Sequence, residues 1–170
     1  MKRRDVPGDA RRDSGQEAGD SRLAELVTPF LSQSGIDTGH GPDLASLMPL
    51  LKERVATVTE LADAAHIFYR HTLPDGAELK TKLEAAALPA FEALREGLAT
   101  ANWEAAALNQ LVKDIAKANG LKMGQIGIPL RMVLFGTAQT PSLDATLALL
   151  GRAETLRRFD AAWPLAKAAL

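Results

Sequence analysis

From Leu23 onward the apolar positions recur at three and four, the period of a helix that buries one stripe. Leu23, Leu26, Val27 and Phe30 predict a first helix that Ser34-Gly35 closes. Asp43 stands where it can cap a second helix carrying Leu44, Leu47, Met48 and Leu51, kinked or shortened by Pro49. A third has Thr57 or Thr59 as its cap and Val58, Leu61, Ala62, Ala65 and Phe68 along one side. Leu73-Pro74-Asp75-Gly76 is a turn, since proline presets one dihedral and glycine tolerates the left-handed one. Residues 77–99 then predict a helix interrupted at Pro89. Asn102 is expected to cap a helix with Leu108, Leu111, Val112 and Ile115, which Asn119-Gly120 stops. The last 50 residues predict helices around 129–135, from Pro141 to Leu150, and from Ala153 to Trp163.

No stretch alternates with period two for long enough to make a strand, and no repeat of fixed period is visible. The expected fold is all-α, built as two small helical subdomains, residues 21–100 and 101–170, with the seam near 99–103. Residues 1–20 contain one valine as their sole branched apolar residue and show no periodicity, so they are expected to be a flexible tail or linker.

Composition narrows the chemistry. Cysteine is absent from the 170 residues, which excludes thiol catalysis, cysteine-ligated zinc and a disulfide framework. His40, His66 and His71 are too scattered to suggest a metal site. No apolar run approaches membrane-span length, and the N-terminus is charged where a signal peptide needs an apolar centre. A soluble cytoplasmic protein with no membrane partner is the expectation. The net charge of -1 hides an asymmetry: residues 111–170 hold eight Lys or Arg against four acids, +4, leaving -5 on the first 110. Any nucleic acid would therefore be met by the C-terminal part, although ordinary charge mixing on solvated helices explains the numbers as well.

No catalytic constellation emerges. There is no His-x-x-x-His, no Gly-x-Gly-x-x-Gly opening a helix and no phosphate loop of the Walker type. A small enzyme using Arg131 as a phosphate anchor would lack a recognisable nucleophile or base. His66 and Tyr69 are better read as core or rim packing than as catalysts.

The unusual phrase is residues 122–159, where Arg131 follows an apolar stretch through Ile126, Ile128 and Leu130. It is explained equally by a salt bridge to an acid such as Asp144 and by a bound anion or planar group. Thr140-Pro141 reads as a helix cap followed by proline at the first helical position, a geometry that leaves N–H groups and a positive helix end beside it. Gly136 and Gly151 read as turn or C-cap glycines. Arg157 and Arg158 read as a solvated helix face, with phosphate contact the lesser alternative.

The phrase Lys122-x-Gly124, then Pro129-Leu130-Arg131, Gly136 and Thr140-Pro141 resembles the closing segment of bacterial glutamyl-tRNA synthetases. Further matches run in order through the chain: Ile36-Asp37-Thr38, Gly41-Pro42-x-Leu44, Leu51, Arg54, Phe68-Tyr69, Trp103, and then Met123, Gly127, Leu149, Gly151 and Arg158. The resemblance covers residues 21–170 and implies an all-α anticodon-binding domain without catalytic residues, metal or cofactor of its own. The His-Ile-Gly-His and Lys-Met-Ser-Lys-Ser signatures that handle ATP are absent, so ATP and magnesium would belong to a catalytic domain elsewhere. The implied partners are that domain and glutamate tRNA, with glutamine tRNA also accepted by some members; DNA is not among them. By position, Arg131 would contact an anticodon base or its phosphate, and Thr140, Pro141 and Leu143 would form the wall on which a base packs. Lys122, Arg157 and Arg158 are candidate phosphate contacts. Phe135 departs from the threonine common before Gly136. The alternative from another class is a helical protein-interaction domain that kept the fold without binding RNA.

Overall fold

A computed structural model describes the backbone of residues 8–170 and the side chains of residues 19–170. Among the described residues there are nine α-helices, two single 3-10 turns and no strand. The chain divides into two compact units, Met1–Tyr69 and Arg70–Leu170.

In the first unit, α1 (Gly8–Gln33) packs on α2 (Leu44–Leu51) and α3 (Val58–Ala65), which a 3-10 turn over His66–Phe68 extends. Part of the expected tail, residues 1–7, lies outside the described residues. From Gly8 the backbone is already helical, and Asp20 is buried against Lys52, with Nζ 2.8 Å from Oδ1. This ion pair extends the ordered packing beyond the apolar stripe. The stripe itself is rotated from the expected one: Val27 and Leu31 are buried, while Leu26 and Phe30 are 49% and 38% exposed. Residues four apart share a face and a neighbour one step away is turned about 100° aside.

Thr57, not Thr59, caps α3, its hydroxyl accepting from Glu60 N–H at 3.1 Å, while Glu60 Oε2 accepts from the N–H of Ala56, the residue before the cap. Asp43 occupies the cap position of α2, but its carboxylate takes the Ser46 hydroxyl rather than a helical N–H. Pro49 lies inside α2, which continues to Leu51. Tyr69 donates to Pro42 O at 2.8 Å, and burial, reinforced by Asp43, pushes its phenol up to about 12.

The second unit holds α4 (Gly76–Lys82), a 3-10 turn at Ala85–Ala87, α5 (Leu88–Thr100), α6 (Ala105–Ala118), α7 (Met123–Phe135), α8 (Leu143–Leu150) and α9 (Arg152–Ala168). The interrupted helix expected over 77–99 is two helices separated by extended backbone at Leu83, and Pro89 sits in the first turn of α5 rather than breaking it. There the missing N–H costs nothing, because the first four helical N–H groups have no intrahelical partner. Glu104, not Asn102, holds the cap position of α6. Pro164 lies inside α9, which runs past the expected end at Trp163.

Residues on both sides of the seam expected near 99–103 belong to this one unit. At Gly97 of α5 a Cβ would lie 2.7 Å from Leu111 Cδ1 of α6, so the two helices pack closely there and a side chain at 97 would require Leu111 to shift. Phe91 of α5 stacks on Trp163 of α9, ring centroids 5.1 Å apart and 7° from parallel, with Phe159 beside them. Arg95 and Asp160 join the same helices through two hydrogen bonds of 2.7 and 2.8 Å.

Candidate nucleic-acid interface

Helix α7 begins at Met123, six residues before the expected start, because Gln125 Oε1 accepts the Lys122 N–H at 2.7 Å and closes its first turn. Pro129 lies inside it on the buried side. Gly124, Gly127 and Arg131 fall at helical spacing on the other side, facing a cleft between α7, α6 and the start of α8. Gly127 keeps this face shallow: a Cβ there would stand 3.4 Å from Arg131 Nη1.

Gly136 ends α7 in the left-handed conformation, φ 75°, and donates to Met132 O at 2.8 Å. The chain then turns through Thr137–Pro141 into α8. Thr140 is not the cap of α8; Ser142 holds that position. The Thr140 hydroxyl is buried and accepts from Arg131 Nε at 3.0 Å while donating to Pro141 O at 3.0 Å. One hydroxyl thus fixes the guanidinium plane of Arg131 and the bend at Pro141 together.

The cleft has a volume of about 260 Å³. Its walls are Leu108 and Val112 of α6 and Leu143 and Leu147 of α8, with Met123 at the rim, 40% exposed. Polar groups reach it from Arg131, Asn109, Ser142 and Asp144. Such a space, apolar walled with a few oriented polar groups, takes one planar ring better than a solvated phosphate. Of the residues expected at the site, Arg131, Thr140 and Leu143 are brought together; Pro141 is buried behind the turn, and Lys122 is exposed at the head of α7. Asn109 carried no signal in the sequence; Asp144 stood there only as an ion-pair partner for Arg131, and Gly127 only as a position matching the family. Asn109 is a polar residue beside a core stripe, and nothing in its neighbours distinguishes it.

Arg158 overturns its expectation as a surface phosphate contact. Its side chain is fully buried, Nε donates to Glu154 at 2.9 Å, Nη1 to Leu134 O at 3.2 Å, and the guanidinium lies 5.5 Å from the centroid of the Phe135 ring. Phe135 is therefore part of the seat of a buried cation. Arg157 is exposed and pairs with the same Glu154 at 2.8 and 2.7 Å. Its hydrogen bonds, ahead of those from Arg158, pull the Glu154 carboxyl down to about 2 against the opposing effect of burial. His71 donates from Nε2 to Val133 O at 3.1 Å, and burial lowers its pKa.

Trp103 donates to Leu147 O at 3.0 Å, and Arg152 lies over its ring while bonding Ala101 O, so the start of α6 is tied to the end of α8. Among the described residues no group of three or more His, Asp or Glu is placed to hold a metal ion, and no helix is long and apolar enough to cross a membrane.

The unit is all-α, with an arginine held by a buried hydroxyl at an apolar-walled cleft. The chain is a member of the anticodon binding domain family, whose sequence profile matches residues 22–163. It is 51% identical over 146 residues to a glutamate–tRNA ligase of Nitrosospira multiformis and 44% identical over 145 residues to that of Thiobacillus denitrificans. These matches cover 84% and 85% of this chain and 31% of each relative, so the chain spans about a third of their length. A crystal structure of a glutamate tRNA ligase from Elizabethkingia meningosepticum, in complex with its amino acid, shares the fold. The TM-score is 0.72 at 20% identity, covering 84% of this chain and 28% of that one.

Proposed function

We propose that this chain is the anticodon-binding module of a glutamate–tRNA ligase and that it holds the anticodon loop of glutamate tRNA, with glutamine tRNA as the second substrate to test. The observation that carries this reading is the Arg131–Thr140 hydrogen bond inside the apolar-walled cleft. An arginine whose fork is held by a buried hydroxyl meets a base edge in a fixed plane, without having to be ordered on binding.

On this reading the chain performs no chemistry itself. Amino-acid activation with ATP and magnesium falls to a catalytic domain, its partner within the ligase, and the location is cytoplasmic. Thr140 holds the arginine, Pro141 sets the turn, and Leu143 supplies a wall against which the base packs. Lys122 and Arg157 are the phosphate contacts that the surface leaves available, both side chains being exposed. The test is titration of a glutamate tRNA anticodon stem-loop at low salt. Saturable binding that weakens with salt and depends on the anticodon bases supports the reading. The absence of saturable binding would favour a fold retained for protein contacts alone.

A further inference from the structure

The cleft places charges of opposite sign at one ring-sized space. Arg131 enters from α7, and Asp144 enters from the first turn of α8. An acid is unexpected there if the ligand is phosphate, since it would repel every nucleotide backbone. It is explained if the ligand is the edge of a base, because an exocyclic amine is a donor that a carboxylate accepts.

Building on the anticodon-binding reading, we infer that Asp144 is a specificity-determining residue that selects a base with an exocyclic amine over uracil. Its Oδ1 accepts the Ala145 N–H at 2.9 Å, which fixes the carboxylate at the helix start. In this assignment Oδ2 takes the base amine. Cytosine offers an amine to Asp144 and carbonyl and ring-nitrogen acceptors to Arg131, so its edge matches both groups. Uracil puts a carbonyl oxygen where the amine would be, and the carboxylate repels it. Leu143, next to Asp144 in the same turn, packs on the face of the ring. The cleft volume of about 260 Å³ suits one base, being smaller than the ~300–1,000 Å³ typical of drug-sized sites.

A purely structural role gives Asp144 a different signature. A carboxylate in the first turn of a helix complements the helix dipole, and removing it from an RNA-binding surface would tighten every RNA alike by taking away a negative charge. The two accounts differ in sign. The experiment uses the full chain and anticodon stem-loops in which each anticodon position in turn is cytosine or uracil, titrated with the wild type, Asp144→Ala and Asp144→Ser. Serine keeps a short oxygen at the helix start, and thermal melts of both variants check the fold. Glu96→Ala, which removes an exposed acid of α5 outside the cleft, reports the general effect of charge.

The expected result is a cytosine preference at one position, about fivefold or more, which both Asp144 variants abolish by weakening the cytosine loop. Tightening of the cytosine and uracil loops alike, as with Glu96→Ala, overturns the inference. So does saturable, anticodon-dependent wild-type binding with no cytosine preference anywhere, which leaves the anticodon-binding reading standing. No saturable binding of any loop by the wild type overturns both.

Discussion

Arg131 Nε donates to Thr140 Oγ1 at 3.0 Å across the turn that joins α7 to α8, so the last residue before Pro141 sets the plane of the arginine. Thr140→Val keeps the shape and removes the hydroxyl. Its expected effect is a loss of about 1 kcal/mol in stem-loop binding, with the larger share falling on the cognate loop. Titration of cognate and base-altered loops measures it. An equal loss for both would make the hydroxyl a structural bond only.

Gly127 separates stability from function. Alanine is the better helix residue by up to about 1 kcal/mol, so Gly127→Ala is expected to melt at the same or a higher temperature. The added methyl stands 3.4 Å from Arg131 Nη1 and takes space from the base, so binding should fall. A variant that is more stable and binds as well as the wild type would show that the cleft floor is not used.

At Gly136 the same substitution should be damaging. The residue has φ 75°, and a Cβ would lie 2.5 Å from Thr72 O, a backbone atom with little freedom to move. Gly136→Ala is expected to cost roughly 1–3 kcal/mol from the left-handed conformation, with the clash added. Denaturant unfolding gives the number.

Arg157 and Arg158 share Glu154 yet differ in burial, and their variants should differ accordingly. Arg158→Ala empties a fully buried side-chain site and removes the donor to Leu134 O, while Glu154 keeps Arg157, and is expected to cost about 2–5 kcal/mol; Arg157→Ala removes an exposed pair and should cost about 1 kcal/mol or less. Because the folded Glu154 pKa is about 2 against an ordinary 4.5, the unfolded chain binds the proton first. The contribution of this carboxylate is therefore complete above about pH 4.5 and lost as the pH falls toward 2. Glu154→Gln should flatten stability across that window, as melts over the pH series will show.

Much of this fold could be read directly from side-chain periodicity. The stripes of α3 and α6 rest on spacings of three and four that only a helix satisfies, and the sequence narrows the cap of α3 to Thr57 or Thr59. Prolines were harder, because the same residue starts α5 at Pro89, lies within α7 at Pro129, and precedes the cap of α8 at Pro141. Which role it takes depends on whether its missing N–H would have found a partner, and that is decided by tertiary packing. Arg158 shows the sharper limit: adjacent arginines look alike in sequence, and only the seat made by Phe135, Leu134 O and Glu154 distinguishes the buried one. The proximity of Arg131 and Thr140 is likewise invisible to spacing, since nine residues and a left-handed glycine separate them.

The most direct test of the account is a low-salt titration of the wild type and Arg131→Ala with the glutamate tRNA anticodon stem-loop and with a copy carrying altered anticodon bases. The wild type should prefer the cognate loop, and Arg131→Ala should shrink that preference by on the order of 1–3 kcal/mol. Arg157→Ala should weaken both loops alike. Equal binding of the two loops by the wild type, or an Arg131→Ala variant that discriminates as well as the wild type, would contradict it.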